Sequence, residues 1–317
     1  DAVETSLSTT GSMGGGWTTD SWIGWVFADA YAWDGLLSDL RIYDRVLSTT
    51  EISDLYTRYR PDVALISCDE FFDTSDGTAY QAVQIGDQCW MQENINAGTK
   101  IDDPGVVAIE AACTGHVGEV VDIIGGLSAY CISATEASLQ RNGAGGVTQK
   151  YCYDNDEANC TAEGGLYEWQ EAMDLAANCA YTDCSGSINT PHQGICPDGW
   201  HIPTDTEYKT LEGYLGMSVA QQNTTGWRGT GEGDKLKVAD KCLNDVNCNS
   251  SGFSAVLAGY RSRNGGFYTR GSFTYLWSSS QSSSTYAWRR SLGSGYATVY
   301  RNTKTKPRGC SLRCLKD

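Results

Sequence analysis

Residues 194–216 read GICPDGWHIPTDTEYKTLEGYLG, an extended run that turns into a helix marked at both ends. Thr204 or Asp205 supplies the N-cap, where a side-chain oxygen accepts from an orphaned backbone N–H of the first turn. Glu207 places a negative charge in that turn, which the helix dipole favours. Tyr208, Leu211 and Leu215 share one face and predict the side that packs on a core. Gly216 ends the helix, because a C′ residue takes a left-handed conformation that glycine adopts without strain. His201 lies on the extended segment before the cap. Spacing sets no Ser, Cys or acid beside it, so it reads as a structural histidine rather than a catalytic base.

Around this signal the chain is poor in helical stripes. Leu166, Trp169, Met173 and Ala176 have helical spacing and predict a short amphipathic helix over Leu166–Ala177. Elsewhere glycine is frequent and proline rare, 36 against 6 in 317 residues, which favours strands and loops. Asp76-Gly77 is a hairpin signal, and Tyr80 to Ile85 predicts a strand entering the turn Gly86-Asp87. Residues 97–147 are Gly-rich and weakly periodic and read as an insertion with no assignable chemistry.

Charge is unevenly distributed. The last 59 residues, Gly259–Asp317, hold 11 basic side chains against Asp317 alone, a local +10 on a chain of net −16. Tyr, Arg, Ser and Gly between them make the composition of a paratope, rigid contact area with adaptable hydrogen-bonding groups. The alternative is a Ser-rich β-meander whose charges lie against an acidic body. The acidic total argues against general nucleic-acid binding, since phosphate backbones demand a basic partner. The basic end leaves an acidic protein, an anionic glycan or another polyanionic surface ligand as the partner. No run approaches the roughly 18 apolar residues of a membrane span. The chain opens on Asp1 without a signal peptide, so upstream sequence is expected to have been removed.

Thirteen cysteines with only three histidines, and no close Cys-x-x-Cys pairs, argue against zinc sites and for disulfides formed outside the cytoplasm. Cys152–Cys160 and Cys242–Cys248 are the preferred local pairs, and the odd count leaves at least one thiol free or intermolecular. Asp154, Asp156 and Asn159 crowd the first loop with oxygens of the kind calcium takes. No EF-hand pattern is present, and solvated acids in a turn are the favoured reading, with calcium kept as an optional cofactor and none required.

Several motifs in order resemble the Fibrobacter succinogenes major paralogous (FISUMP) domain: IGDQCWMQEN, KYCYDNDEANC, GGLYEW, GICPDGWHIPTDTEY, FSAVLAGYRSRNGGFY, LWSSS and SLRCLKD. The resemblance covers roughly Cys68–Asp317. That family is similar to C-type lectin-like domains and to the formylglycine-generating enzyme. It therefore implies an α+β, C-type lectin-like fold with a twisted antiparallel sheet, two helices and long irregular loops. Ile202-Pro203-Thr204-Asp205-Thr206-Glu207-Tyr208 and Ser311-Leu312-Arg313-Cys314 are similar to that oxidase's helix and tail motifs. Its reactive cysteine pair has no counterpart: Arg301, Asn302 and Thr303 stand there, Cys314 matches the tail cysteine, and Cys310 stands where the FISUMP pattern usually has an aromatic residue. The expectation is a binding protein, not an enzyme.

C-type lectin-like domains also serve as variable proteins of diversity-generating retroelements, in phage tips and on bacterial surfaces. Mutated Asn codons there never yield Trp or Lys, so the resemblance makes Trp277, Trp288, Lys304 and Lys306 scaffold or positions outside the varied set. It implies ligand contacts at Arg263, Tyr268, Thr269, Phe273, Tyr275, Tyr286, Arg289, Ser291, Tyr296, Tyr300 and Arg308. Tyr296, Thr298 and Tyr300 are expected on one face of a strand, with Ala297 and Val299 on the other. The expected function is extracellular or cell-surface ligand binding. The alternative is a structural or adhesive surface protein or filament subunit, with a formylglycine-generating-type oxidase as the third reading. In residues 1–60, Trp33-Asp34-Gly35, Asp39–Tyr43 and the capping pattern from Ser48 to Glu51 resemble the end of a laminin-G-like, concanavalin-type jelly roll. Its last strands are expected at Val26–Tyr31 and Leu36–Tyr43, with residues 61–317 as the second domain.

Overall fold

The computed structural model describes residues 68, 71–73, 78–102, 111–123, 127–133, 136–139, 148–263 and 265–317. The chain divides into two units, Asp1–Ile66 and Ser67–Asp317. The jelly-roll resemblance, with its strands and its capping pattern at Ser48, lies outside the described residues. The second unit mixes helices with antiparallel sheets, the α+β class. No helix among the described residues is long and apolar enough to cross a membrane.

The strands that build the scaffold are β1 (Ala82–Ile85), β2 (Gln88–Met91), β3 (Trp200–His201), β4 (Gly226–Arg228), β5 (Phe273–Gln281), β6 (Tyr286–Gly293), β7 (Val299–Thr305) and β8 (Leu315–Lys316). One sheet runs β3–β8–β2–β1 and the other β4–β7–β6–β5. In the first, the C-terminal strand slots between segments far away in sequence, Leu315 pairing with Trp90 and His201. A disulfide from Cys196 to Cys314 fixes the same closure.

Helix α1 (Asp205–Tyr214) forms for the reasons its sequence gives. Thr204 is the N-cap: its hydroxyl accepts from the Glu207 N–H at 3.1 Å, and the Glu207 carboxylate accepts from the Thr204 N–H at 2.7 Å, a closed capping box. At the other end Gly216 sits at φ +114. The Met217 N–H donates to Glu212 O and the Gly216 N–H to Gly213 O, the Schellman pattern. Tyr208, Leu211 and Leu215 are buried against Trp90, Phe253, Leu276, Leu292 and Val299, so one core joins α1 to both sheets.

One segment differs from expectation and another gains detail. Helix over 166–177 is confined to one turn, Trp169–Ala172, all four residues of which are buried. Asp174 takes φ +53 and ends it, and a turn enclosed on every side has no solvent face to make it amphipathic. The 97–147 segment contains a three-stranded antiparallel sheet, 120–123, 127–133 and 136–139. Cys113–Cys131 staples it, and Ile101, Tyr151 and Leu166 pack on that disulfide. Among the described residues α1 is the one helix of ten residues, and the others span seven or fewer.

Twelve cysteines pair and one does not. The local bonds Cys152–Cys160 and Cys242–Cys248 form, alongside Cys68–Cys89, Cys113–Cys131, Cys179–Cys184 and Cys196–Cys314. Cys310 is the free thiol, buried.

Candidate functional site

The basic tail is largely internal, which corrects its reading as a basic surface. Of its 11 cations, Arg261, Arg289, Arg290, Arg301, Lys306 and Arg313 are buried. Arg290 donates to Asp205 at 2.7 Å and Glu212 at 2.6 Å, Arg301 to Asp205 at 2.7 Å, and Arg228 to Glu212 at 2.8 Å. These side chains lie on the α1-facing side of the sheet, where helix acids meet sheet arginines. Lys306 donates to the carbonyl oxygens of Cys179, Thr182 and Ser284 and to the Gln281 side chain, tying two loops together. Trp277 is buried and donates to Tyr167 O at 3.0 Å, and Trp288 lies under the Arg301 guanidinium at 3.7 Å.

The opposite side of the same sheet is aromatic. Strand register aligns Tyr275, Ser291, Tyr300 and Trp227 in one row across all four strands, because directly paired residues project to the same side. Trp227 stacks on Tyr296 with centroids 3.8 Å apart and meets Tyr300 at 5.0 Å. Phe273 bridges Tyr296 at 5.9 Å to Tyr275 at 6.2 Å. Tyr275 meets Tyr260 edge-on at 5.1 Å, and Tyr260 stacks on Tyr268 at 5.6 Å. Seven rings thus form one connected array, with Tyr268, Tyr296 and Trp227 exposed at 49 %, 40 % and 37 %.

A small residue makes this packing feasible. Gly293 pairs with Phe273, and a Cβ there would come 2.5 Å from the Phe273 ring. Lys237, fully buried, donates to Gly293 O at 2.7 Å and Tyr296 O at 2.8 Å and fixes the backbone under both rings.

Arg289 and Ser291 belong to this side but are buried beneath it rather than presented to solvent. Arg289 lies 4.3 Å from the Tyr275 ring centroid and donates to Cys310 Sγ at 3.5 Å. Arg308 lies 5.3 Å from the Tyr260 centroid. Thr269 takes φ +64 in the turn after Tyr268, and Arg263 is half-buried at a bridge to Gly265. Tyr286 is exposed but stands apart, since alternation along β6 sends it to the side of Trp288 and Arg290. Tyr296 precedes β7 instead of lying on it and reaches the array from a turn, while Ala297 and Val299 are buried as expected. Trp227 and Tyr260 were not among the expected contacts. Trp227 comes from outside the tail, and only the alternation Gly226-Trp227-Arg228 hints at it.

Two other places singled out by sequence, the Asp154–Asn159 loop and His201, take part in local bonding. Asp156 caps the helix Glu157–Glu163 through the Ala158 N–H, and the Asn159 amide donates to Tyr153 O. Asp154 sits at φ +55 and is exposed. Among the described residues no group of three or more His, Cys, Asp or Glu gathers as a metal set. His201 does have acid partners: Glu207 at 3.1 Å from one ring nitrogen and Asp317 at 2.7 Å from the other. Burial alone would lower its pKa, but the two carboxylates outweigh burial and raise it. It clamps the helix start to the C-terminal segment.

No curated protein and no solved structure matches the chain. The pattern of the Fibrobacter succinogenes major domain does match, over residues 83–316, a span running from the β1–β2 hairpin through α1 and the aromatic sheet to β8. The chain belongs to the Fibrobacter succinogenes major domain family.

Proposed function

We propose that this domain is a recognition module on a C-type lectin-like scaffold, binding a ligand through the aromatic side of the β4–β7–β6–β5 sheet. The observation that carries the reading is the connected array of seven rings with its outermost members open to solvent. Flat aromatic side chains offer large contact area at low conformational-entropy loss, and here neighbouring rings and a pinned backbone hold them in advance. Six disulfides suit an oxidising, extracellular setting. The reading is of binding rather than catalysis: Cys314 is bonded to Cys196, and Cys310 is an isolated thiol. The retroelement resemblance would make Tyr268, Phe273, Tyr275, Tyr296, Tyr300 and Arg308 exchangeable contacts, with Trp277 and Trp288 outside the varied set.

The test is a screen of the folded chain on oligosaccharide and surface-protein arrays, followed by titration of any hit against Trp227→Ala, Tyr300→Ala and Tyr286→Ala. Binding should weaken at least tenfold in the first two and stay within twofold in the third. Equal binding by all three with native circular dichroism would remove the site.

A further inference from the structure

At one end of the aromatic array the sheet carries positive charge that no carboxylate among the described residues answers. Register puts Arg289 opposite Asn302 and Ala287 opposite Lys304, so Arg289, Asn302 and Lys304 share the aromatic side. The Arg289 Nε donates to Asn302 Oδ1 at 3.2 Å and its Nη1 to Cys310 Sγ. Arg308 joins them through Tyr260, which meets Tyr275 under Arg289. Among the described residues, no carboxylate lies within salt-bridge distance of Arg289, Lys304 or Arg308. The arginines on the α1 side, by contrast, are matched by Asp205 and Glu212. Burial, then the repulsion of Arg289 and Arg308, holds the Lys304 ammonium below its ordinary range. The buried Nε of Arg308 and the buried hydroxyl of Ser291 have no hydrogen-bond partner. Buried polar groups ordinarily are paired.

We infer that Arg289, Lys304 and Arg308 form a subsite for a single oxyanion group, a carboxylate or a sulfate, on a ligand whose body lies along the aromatic array. This rests on the recognition reading and gives its ligand a chemistry. Arg289, held by Asn302 and Cys310, is a fixed charge; the half-buried Lys304 and Arg308 are the groups that reach the anion. A guanidinium presents a planar fork that matches a carboxylate or sulfate edge, and Lys304 adds a point charge. The rest of the chain bears a large negative excess, −16 overall despite the basic tail. A long polyanion would be repelled beyond the subsite, so one anionic group on a largely neutral, ring-bearing ligand fits best.

The test titrates the isotopically labelled chain with sodium sulfate and with sodium acetate, sodium chloride holding ionic strength constant. Expected are saturable NMR shifts at Arg289 Nε, Arg308 Nε and the Asn302 amide. Affinity should fall at least tenfold in Lys304→Gln and in Arg308→Gln, with spectra otherwise native, and be kept in Lys304→Arg. Sulfated, uronate-bearing and neutral forms of one trisaccharide then identify the source, and preference for either charged form supports the subsite. Shifts that do not saturate, or that are equal at Arg270 and Lys316, overturn it. A neutral ligand lost in Trp227→Ala but unaffected by Lys304→Gln overturns the subsite while leaving the recognition reading intact. Sulfate binding lost in Lys304→Gln, with no ligand sensitive to Trp227→Ala, upholds the subsite and removes the recognition reading.

Discussion

Arg290 on β6 and Asp205 at the start of α1 lie 2.7 Å apart, both buried, although 85 residues separate them in sequence. The contact joins the helix to the middle of the sheet whose other side carries the aromatic array. Arg290 also donates to Glu212, two turns along the helix, so a single guanidinium holds α1 at two points. Removing one member of a buried charge pair leaves the others uncompensated, a loss of about 3–5 kcal/mol. Arg290→Met should therefore lower unfolding stability by about that amount in guanidinium titrations with disulfides intact. A loss under about 1 kcal/mol would mean that Arg228 and Arg301 suffice for both acids.

This pair also marks where sequence reading stops. The capping box, Gly216 and the local disulfides 152–160 and 242–248 are legible because each is settled within a few residues. The destination of an arginine is not: Arg290 and Arg301 find Asp205 only once β6 and β7 are laid over α1. Hence the tail looks like a basic surface in composition, yet directs most of its charge inward. The aromatic positions were legible in part, since strand alternation places Tyr275 and Tyr300. Trp227 and Tyr260 enter only through tertiary packing.

Stability should fall on both sides of a window between acid and neutral pH. Burial alone would raise the Asp205 carboxyl, but Arg301 and Arg290 outweigh it and hold Asp205 well below the usual carboxylate range. Burial likewise opposes the bonds from His201 and Thr204 that depress Glu207. A depressed folded value means that the unfolded chain binds more protons, so this stability is present above about pH 4 and is lost as pH falls through the folded values. For His201 the sign reverses. The stability that comes with its raised folded value is fully present below about pH 6.5 and is lost as pH rises from there through the folded value. His201→Gln should flatten the neutral-side decline in melting temperature and shrink the Glu207 part of the acid limb, leaving the part due to Asp205. An unchanged neutral limb would show that another group causes it.

Cys310 should be chemically silent in the folded chain. It is fully enclosed, and burial pushes its thiol up despite the Arg289 and Arg308 charges beside it, leaving little thiolate at neutral pH. A chromogenic disulfide reagent should find essentially no thiol in the native protein and one per chain after unfolding without reductant. Three or more would mean that a disulfide is open; fast native labelling would place the thiol at the surface.

Gly293 offers the sharpest separation of the array from the fold. Its Cβ, if present, would meet the Phe273 ring at 2.5 Å and the Tyr296 ring at 3.1 Å. The backbone cannot retreat, because Lys237 holds Gly293 O and Tyr296 O from the core side and is itself paired with Asp234 at 2.9 Å. The rings must move instead, and they lie on the side of the sheet away from the Leu276, Leu292 and Val299 core. Gly293→Ala should thus alter the near-ultraviolet circular dichroism of the Trp227–Tyr296 stack and weaken ligand binding severalfold. The loss of stability should stay within the roughly 1–3 kcal/mol typical of overpacking. A native near-ultraviolet spectrum with unchanged binding would show that the rings do not act as one preformed surface.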